Sequence, residues 1–497
     1  KGNTTQGTIT DLDGQFTLNV PSNSTLVISY IGYVTQEVPA KGTVKVTLKE
    51  DNEMLDEVVV IGYGTQRKGD VTSAISSVKS DNFVKGAVKD VGQLIQGKVA
   101  GLAITNPNGD PAGETQIRLR GTNTIGGANT APLVLIDGIP GSLSTVAPED
   151  VESVDVLKDG SAAIYGTRGT NGVILITTKQ SKGGDICSVE YSGYVSTSML
   201  AKRLEMLSGR EFAALYPEYD YGYDTDWVDE ITRTPITHVH NLSLMGGNSK
   251  TNYIANINYA DRQGTMKKSD FDNFQGRVEI THRMFDDKVK LKFGIFGKKN
   301  QMESTQNGGS FRGGVYSQAT RRNPTEPVRN PDGSWYENVN KFEYENPLAL
   351  LYESDGNVKK TELRYNGNIT YNPIKDLTLS ALFSYTRENM NRGYSETQNH
   401  ISALRDHKNG WSSVGSYTEM EKLMELTAQY NKTINDHKFS ILGGYSYNET
   451  DYEEMWFDNY GFQDDYFGGW HNIGIGSALK EGKATAGSKK TSTNLIG

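Results

Sequence analysis

The chain has 497 residues, a formal net charge of −9, 54 glycines, 27 tyrosines and a single cysteine. This length exceeds one ordinary globular core, so we expect several domains. The lone Cys187 excludes an intramolecular disulfide framework and a cysteine-based zinc site. The negative charge argues against a nucleic-acid partner, because a polyanion needs a basic surface.

The N-terminal segment, residues 1–51, contains short strand-like runs. Two of them flank the turn signal DLDG, and TLVISYI, VTQEVP and TVKVTLK follow at short spacing. This pattern predicts a small β-sandwich without its first strands. The chain opens with Lys1-Gly2-Asn3 and shows no signal peptide, so we expect the start of the precursor to be missing.

A run of β-branched residues, VVVI at 58–61, lies inside a polar linker that covers residues 52–69. Such residues favour a strand, yet this strand has no alternating partner nearby. The flanking segment TQRKGD indicates solvated linker. The pattern alone leaves open what the strand pairs with.

Residues 70–184 predict a small mixed α/β domain. Val91, Leu94, Ile95 and Val99 recur near helical spacing, which indicates an amphipathic helix. The runs TQIRLRG, APLVLIDGIPG, VESVDVLKDG and NGVILITTK predict strands, and GSAAIYG predicts a short helix. The segment GQLIQGKV is close to a phosphate-binding loop, but Val99 replaces the hydroxyl residue that binds magnesium, so we predict no nucleotide site.

The remainder alternates between apolar and polar residues over nine long segments, at 187–200, 236–246, 251–261, 272–284, 288–301, 360–373, 376–388, 418–433 and 437–449. In a soluble protein, the same alternation would indicate an antiparallel sheet with one solvent-exposed face. However, the segments exceed the ~5–6 residues usual for a globular strand, and tight turns alternate with long loops. Both features are typical of an outer-membrane β-barrel, whose strands need only ~9–11 residues to cross the bilayer.

Long ordered stretches then identify a family. LIQGKVAGLAITNPNGDPAGETQIRLRG, APLVLIDGIPG and VAPEDVESVDVLKDGSAAIYGTRGTNGVILITTK resemble the plug of SusC/RagA-like TonB-dependent outer-membrane transporters. HNLSLMGGNSKTNYIANINYADRQG and RRNPTEPVRNPDGSWYE resemble their first barrel strands and loops. TDLDGQFTLNVPSNSTLVISYIGY resembles the carboxypeptidase-regulatory-like domain that precedes the plug in many members.

The resemblance implies a mainly β fold in four parts. These are an N-terminal β-sandwich (1–51), a linker with a TonB box (52–69), a mixed α/β plug (70–184) and about the first nine antiparallel strands of a transmembrane β-barrel (185–497). The family's barrel has about 22 strands, as in large outer-membrane transporters. We therefore expect the closing strands to be missing from this chain.

The resemblance also implies a function, namely TonB-driven import of a glycan or peptide across the bacterial outer membrane. The TonB box corresponds to Asp56, Glu57, Val58, Val59, Val60 and Ile61, and it would join the sheet of TonB through backbone hydrogen bonds in the periplasm. A SusD-like surface lipoprotein is the implied outer partner, and membrane lipid surrounds the barrel. A signal-transducing receptor of the same architecture is the alternative. No enzyme activity and no cofactor are predicted.

Several residues are candidates for a role in the site. Arg118, Arg120 and Arg168 lie in the plug, where they are expected to pair with the polar inner wall or to act in gating. Aromatic rings suit the flat faces of sugars, and the ligand-binding candidates are Trp335, Tyr336, Trp411 and Trp470. An aromatic girdle at the membrane interface is the alternative for some of them.

Two further patterns could suggest a metal. His238 and His240 share one face of a strand, but no third ligand is apparent. The acidic-aromatic run PEYDYGYDTDWVDE lacks the ordered spacing of a calcium loop. We therefore predict no metal site, and expect an outer loop at the acidic run.

Overall fold

The computed structural model describes residues 8, 10, 14–21, 24–28, 36–40, 42–47, 58–61, 64–67 and 75–497, except 107–109, 114, 122–129, 182–185, 304–313, 436 and 467–468. The chain divides into two compact units. One comprises residues 1–59 and 65–72, and the other comprises residues 60–64 and 73–497.

Before residue 58, the described residues of the N-terminal unit contain one small antiparallel sheet. Strand β1 (Thr25–Ile28) pairs with β2 (Gln36–Pro39), from Thr25↔Pro39 to Ile28↔Gln36. Residues 15–20 and 44–47, which we predicted as strands, belong to no strand. These runs are short and alternate between apolar and polar residues, and periodicity alone does not decide whether such a run finds a partner.

The segment VVVI does form a strand, β3 (Val58–Ile61), but it is not alone. It pairs with β4 (Gly64–Arg67) in a separate two-stranded sheet. The prediction of a strand without a local partner was therefore wrong, and the partner lies in the stretch that we assigned to solvated linker. Only two residues separate the strands, which is the length of a tight hairpin connection.

The described part of the plug starts at residue 75 and contains two sheets. Its elements in chain order are β5 (Ile75–Lys79), α1 (Val91–Leu94), β6 (Leu102–Thr105), β7 (Gln116–Leu119), β8 (Leu133–Ile136), β9 (Ile139–Pro140), β10 (Val151–Leu157) and β11 (Val173–Thr178). The main sheet has the order β5-β10-β11-β8-β9, with β8 parallel to β11, and β6 pairs with β7. Short 3₁₀ helices cover Ser80–Asn82, Pro148–Asp150 and Asp159–Gly169, the last containing the predicted GSAAIYG helix.

The predicted amphipathic helix is much shorter than expected. Val91, Leu94, Ile95 and Val99 are all buried in the plug core, at 0–6 % exposure, so the assignment of the apolar face was correct. However, α1 has only four residues, and Asp90 caps it by accepting from the Gln93 N–H. The glycines at 97 and 101 adopt φ of 72° and 78°, and such a conformation ends a right-handed helix.

Ten long strands form a continuous antiparallel wall in sequence order. They are β12 (Ile186–Thr197), β13 (Ile236–Gly247), β14 (Thr251–Gln263), β15 (Asp270–Met284), β16 (Val289–Glu303), β17 (Ser354–Ile374), β18 (Leu377–Glu396), β19 (Trp411–Ile434), β20 (His437–Tyr460) and β21 (Thr485–Ile496). Nine were predicted. The tenth, β21, was missed because its Lys, Ser, Thr and Gly residues give no apolar alternation.

Tight turns join the strands at one end of this wall, and long connections join them at the other. The long connections contain α2 (Gly209–Leu215), α3 (Trp227–Ile231), α4 (Val315–Arg321), α5 (Pro347–Tyr352), α6 (Ile401–Asp406) and α7 (Ser477–Lys480), with 3₁₀ turns at Pro217–Tyr219 and Gly469–Ile475. Among the residues that the structure describes, no helix is both long enough and apolar enough to traverse a lipid bilayer.

The two faces of the wall are inverted relative to a soluble sheet. In β14 the side chains of Asn252, Asn256 and Asn258 are 2–4 % exposed, whereas Tyr253 and Ile257 are 45 % and 47 % exposed. A soluble sheet buries its apolar face and exposes its polar one. Here the polar face covers the plug and the apolar face points outward, as in a strand wall that faces lipid.

Candidate functional site at the interface of plug and wall

A buried ion pair joins the plug to the wall. Arg277 of β15 donates from Nε and Nη2 to both carboxylate oxygens of Asp150, at 2.8 and 2.9 Å. Its Nη2 also donates to the Lys179 carbonyl oxygen at 2.9 Å. The side chains of Arg277 and Asp150 are only 11 % and 3 % exposed. Bidentate arginine–carboxylate contacts are among the strongest polar contacts in proteins.

Two further residues extend this ion pair along the wall. Glu279 lies 3.4 Å from Arg277 Nη1, and Lys292 of β16 lies 2.9 Å from Glu279. The three wall side chains, Arg277, Glu279 and Lys292, face the plug, and Asp150 belongs to it. A buried charge is stable only when it is paired, and alternating positive and negative groups satisfy that requirement here.

Other wall side chains bind plug backbone. Lys298 donates to the Ser144 carbonyl oxygen at 2.6 Å, and Arg364 donates to the Pro140 carbonyl oxygen at 3.0 Å. Beside them, Ile139 of the plug packs on Leu382 and Leu423 of the wall in a small apolar cluster. The plug is therefore held by specific contacts rather than by general charge complementarity.

A cavity of about 460 Å³ separates plug from wall next to these contacts. Its charged and polar lining includes Lys89 and Ser144 of the plug and Arg262, Lys298, Lys360 and Glu388 of the wall. Such a mixed lining suits a ligand that offers many hydrogen-bonding groups. Burial raises the pKa of the nearby plug residue Glu149, although Asn258 donates a hydrogen bond to it at 3.2 Å.

The three plug arginines that we singled out are not the residues of the buried ion pair. Arg118 is exposed on β7, and Arg120 is exposed just after it with φ of 55°. Arg168 is half-buried and lines a second cavity, of about 500 Å³, within the plug. A role for these residues in gating stays a prediction. The sequence analysis missed Arg277 and Asp150, because their charge is visible in sequence but their partnership is not.

Of the ligand-binding candidates, two lie within the packed loops. The Trp335 ring stacks on Tyr352 with a centroid distance of 6.3 Å, and its N–H donates to Glu353 at 2.6 Å. Tyr336 lies edge-on to Tyr221 at 6.2 Å. Both are only half-buried, so part of each ring stays accessible.

The other two candidates lie on opposite faces of the wall. Leu423 of β19 contacts the plug, so odd-numbered residues of this strand, including Trp411, face the lumen. Trp411 packs against Tyr394 at 6.0 Å. By the same argument Gly393 of β18 faces outward, since Leu382 faces the plug. A Cβ at Gly393 would lie 2.2 Å from the Trp470 ring, so Trp470 covers the outer face.

The sequence analysis missed two tyrosines that face the lumen on the same side of the wall as Trp411. Tyr417 and Tyr452 pack together at a centroid distance of 5.5 Å. The Tyr417 hydroxyl donates to Glu388, and the Tyr452 hydroxyl donates to Glu454 at 3.1 Å. Together with Trp411 they give the lumen wall aromatic faces next to hydrogen-bond acceptors. The alternation of side chains along β19 and β20 could have predicted that these two tyrosines face the lumen.

The patterns that could suggest a metal have other roles. His238 Nε2 lies 3.1 Å from Asp261, and His240 Nδ1 lies 2.7 Å from the Tyr191 hydroxyl. In the acidic run, Asp226 caps α3 and binds Arg203. Within the described ranges of the chain, no group of three or more His, Cys, Asp or Glu residues has the arrangement of a metal site.

The long loops contain a buried charge cluster around Arg322. Arg322 Nε lies 2.9 Å from Glu326 and its Nη1 lies 3.7 Å from Glu337, and Arg405 lies 3.2 Å from Glu345. Three buried carboxylates thus share two arginines. Burial raises the pKa of Glu337 from 4.5 to about 7, although Arg322 opposes this shift.

This raised pKa predicts a pH-dependent loop structure. The folded loops hold the Glu337 proton more tightly than the unfolded chain, so their stability falls as pH rises from about 4.5 to about 7. This pKa shift corresponds to a loss of folding free energy on the order of 3 kcal/mol. We expect hydrogen-exchange protection of α4 and α5, corrected for intrinsic exchange rates, to be lower at pH 8 than at pH 5.

Substitution identifies the group that causes this dependence. Glu337→Gln stays neutral and should give nearly equal protection at both pH values. The control is Glu343→Gln, since Glu343 has a side chain that is 67 % exposed and pairs with Arg321. A pH dependence that persists in Glu337→Gln would assign the effect to another group of the cluster, such as Glu326.

A mixed α/β plug bound to the polar face of a lipid-facing strand wall defines the TonB-dependent receptor fold. The TonB-dependent Receptor Plug Domain model matches residues 67–173, and the CarboxypepD_reg-like domain model matches residues 2–60. In its plug and N-terminal domains and in its overall sequence, the chain is similar to the SusC/RagA-like TonB-dependent transporters. Members of this family are transporters and not enzymes.

Two relatives illustrate the extent of the similarity. The chain is 35 % identical to TonB-dependent receptor SusC of Bacteroides thetaiotaomicron, over 93 % of this chain and 49 % of SusC. It is 33 % identical to TonB-dependent receptor P3 of Formosa agariphila, over 90 % of this chain and 46 % of that protein. The chain thus spans about half the length of the curated relatives it matches.

The solved structures agree in fold. The RagAB peptide importer in its open-open state superposes with a TM-score of 0.75 at 22 % identity, over 88 % of this chain and 54 % of the RagAB chain. The ferric citrate transporter FecA superposes with a TM-score of 0.51 at 12 % identity, over 78 % of this chain and 49 % of FecA. At such identities the likeness concerns the fold alone.

Proposed function

We propose that this protein imports a large nutrient, a glycan or a peptide, across the bacterial outer membrane with energy supplied through TonB. In this proposal the wall crosses the membrane, the plug gates its lumen, and the N-terminal unit and Asp56–Ile61 lie in the periplasm. A SusD-like lipoprotein closes the lumen from outside. Asp56 and Glu57 lie outside the described residues, whereas residues 58–61 form β3.

One observation supports this proposal above all others, namely the inverted wall with a plug bound to its polar face. An exposed apolar face with rows of Tyr, Phe, Ile and Leu is stable in lipid and costly in water. A polar lumen filled by a separately folded plug is a gate, because passage requires the plug to move. The similarity to SusC and to the RagAB peptide importer supports the choice of a glycan or peptide as the ligand.

The proposal is tested with the full-length protein in its native membrane. Cells lacking the gene are grown on a panel of single glycans and on a panel of peptides, with and without the full-length gene. We expect one class of nutrient to require both the gene and TonB for growth. Growth on every nutrient without the gene, or gene-dependent growth that is unchanged after loss of TonB, would contradict the proposal.

The orientation of the aromatic candidates gives a sharper prediction about ligand binding. Trp411 faces the lumen whereas Trp470 covers the outer face of β18. Trp411→Ala is therefore expected to weaken binding of the imported nutrient by about 1–2 kcal/mol, or roughly 5- to 30-fold in Kd. Calorimetry with the purified full-length protein measures this.

Trp470→Ala is the matched control for this substitution. It removes the same type of aromatic ring, but from the outer face of the wall. The Kd for the imported nutrient should stay unchanged within about twofold, a difference well below 1 kcal/mol. The reverse pattern, with a large effect only at Trp470, would place the ligand outside the lumen.

A further inference from the structure

The connections between plug and wall differ sharply between the two halves of the plug. Here the first half denotes residues 75–131, with β5, α1, β6 and β7, and the second half denotes residues 132–179, with β8 to β11. The first half contacts the wall through hydrogen bonds to carbonyl oxygens. Arg262 donates to the Lys89 carbonyl at 3.2 Å, and the Tyr194 hydroxyl donates to the Val88 carbonyl at 3.2 Å.

The second half has the buried ion pair. Arg277 contacts Asp150, directly before β10, and the Lys179 carbonyl, directly after β11. The Lys179 N–H in turn donates to the Asp150 carbonyl at 2.8 Å. One wall side chain therefore fixes the adjacent ends of two neighbouring strands. Lys298 and Arg364 add contacts at Ser144 and Pro140 of the same half.

The order of the strands in the main plug sheet determines which half of the plug bears an applied force first. The chain that follows β4 enters the plug at β5, and among the described strands β5 is an edge strand with β10 as its partner. Five residue pairs, from Ile75↔Leu157 to Lys79↔Ser153, make up this ladder. A pull on the chain before Ile75 therefore acts on β5, while β10 behind it is fixed to the wall at its opposite end.

We infer that Arg277 is the anchor that retains the second half of the plug in the lumen while the first half is drawn out. The inference rests on the proposed function, in which TonB pulls on the segment before the plug. Arg277 touches no ligand in this role and acts as a positioning residue. Partial withdrawal opens a path next to the wall and leaves a folded template on which the first half can rebuild.

The test measures how much chain is released by force. The full-length protein, with all its native cysteines including Cys187 replaced by serine and a handle at Thr65→Cys, is embedded in a lipid bilayer and pulled from its periplasmic side. The first half extends by roughly 200 Å, and both halves together by roughly 350 Å. We expect the wild type to stop at the shorter length before any longer event, and Arg277→Gln to extend to the longer length in the first event.

Three variants separate an anchor from a merely structural residue. Arg277→Lys keeps the charge but loses the bidentate contact to Asp150, so the stop should remain at a lower force. Arg262→Gln removes the wall contact of the first half and should also preserve it. Asp150→Asn removes the charged partner with little change of shape and should abolish it, which keeps the test decisive if Arg277→Gln does not fold.

Two outcomes would overturn the inference. One is release of the longer length by the wild type in a single event, and the other is an unchanged stop in both Arg277→Gln and Asp150→Asn. The handle is covalent, so this result does not depend on TonB. Failure of the proposed function would instead appear as TonB-independent growth in the nutrient experiment.

Discussion

Proline at Val58 and proline at Val59 are expected to affect import unequally, and one of them should abolish it. Neighbouring N–H groups of a strand point to opposite sides. In β3, one side faces β4 and the other has no partner strand among the described residues. Proline has no N–H to donate, so at one position it removes a hydrogen bond to an added strand of TonB, and at the other it weakens the β3–β4 hairpin.

The measurement compares uptake with surface binding of the same labelled nutrient in the same cells. Surface binding should survive both substitutions, because the segment precedes the plug and the wall. Val59→Ile keeps the backbone donor and should be nearly silent. Wild-type import by both proline variants would show that the segment is only a linker and that TonB engages the protein elsewhere.

Gly169→Val is expected to disrupt the plug and make the lumen leaky. A Cβ at Gly169 would lie 2.2 Å from the Ala162 carbonyl oxygen, which is a backbone atom that cannot move aside like a side-chain end. Overpacking of this kind typically costs about 1–3 kcal/mol and occasionally more. The residue lies in the 3₁₀ segment that joins β10 to β11, so the strain acts directly on the half of the plug that is bound by Arg277.

The readouts are thermal unfolding of the purified full-length protein and sensitivity of intact cells to a large antibiotic. We expect a lower Tm and higher sensitivity. Ala163→Val adds bulk at an exposed position of the same segment and should change neither. Normal sensitivity together with a lowered Tm would mean that the plug loosens without opening the lumen.

Local pattern predicted most of the wall. Because side chains alternate strictly along a strand, the faces of β14 and β17 follow from sequence, and Arg364 lies buried at 5 % exposure between the exposed Leu363 and Tyr365. The pattern failed at β21, where polar residues occupy both faces. It also failed for α1, whose apolar spacing arises from burial in the plug core rather than from a continuing helix.

The site was less predictable because its partners are distant in sequence. Arg277 and Asp150 are 127 positions apart, and no local rule joins them. The position of Trp470 depends on a loop that folds back over the outer face of β18, which only tertiary structure reveals. The partner of β3 was closer, but β4 consists of Gly, Thr, Gln and Arg and has little strand propensity of its own.

The unequal strand lengths determine how far the protein reaches from the cell. Strands β12 to β16 have 12–15 residues, whereas β19 and β20 have 24 each. At about 3.3 Å per residue and a tilt near 40°, a 24-residue strand rises roughly 60 Å, of which the apolar band takes about 25 Å. The tight turns share one end, so the excess projects toward the long loops. Trp411 and Tyr460 pair at the loop end of these strands. They thus lie some tens of ångströms above the bilayer, where the protein can contact a stiff polymer before that polymer reaches the membrane.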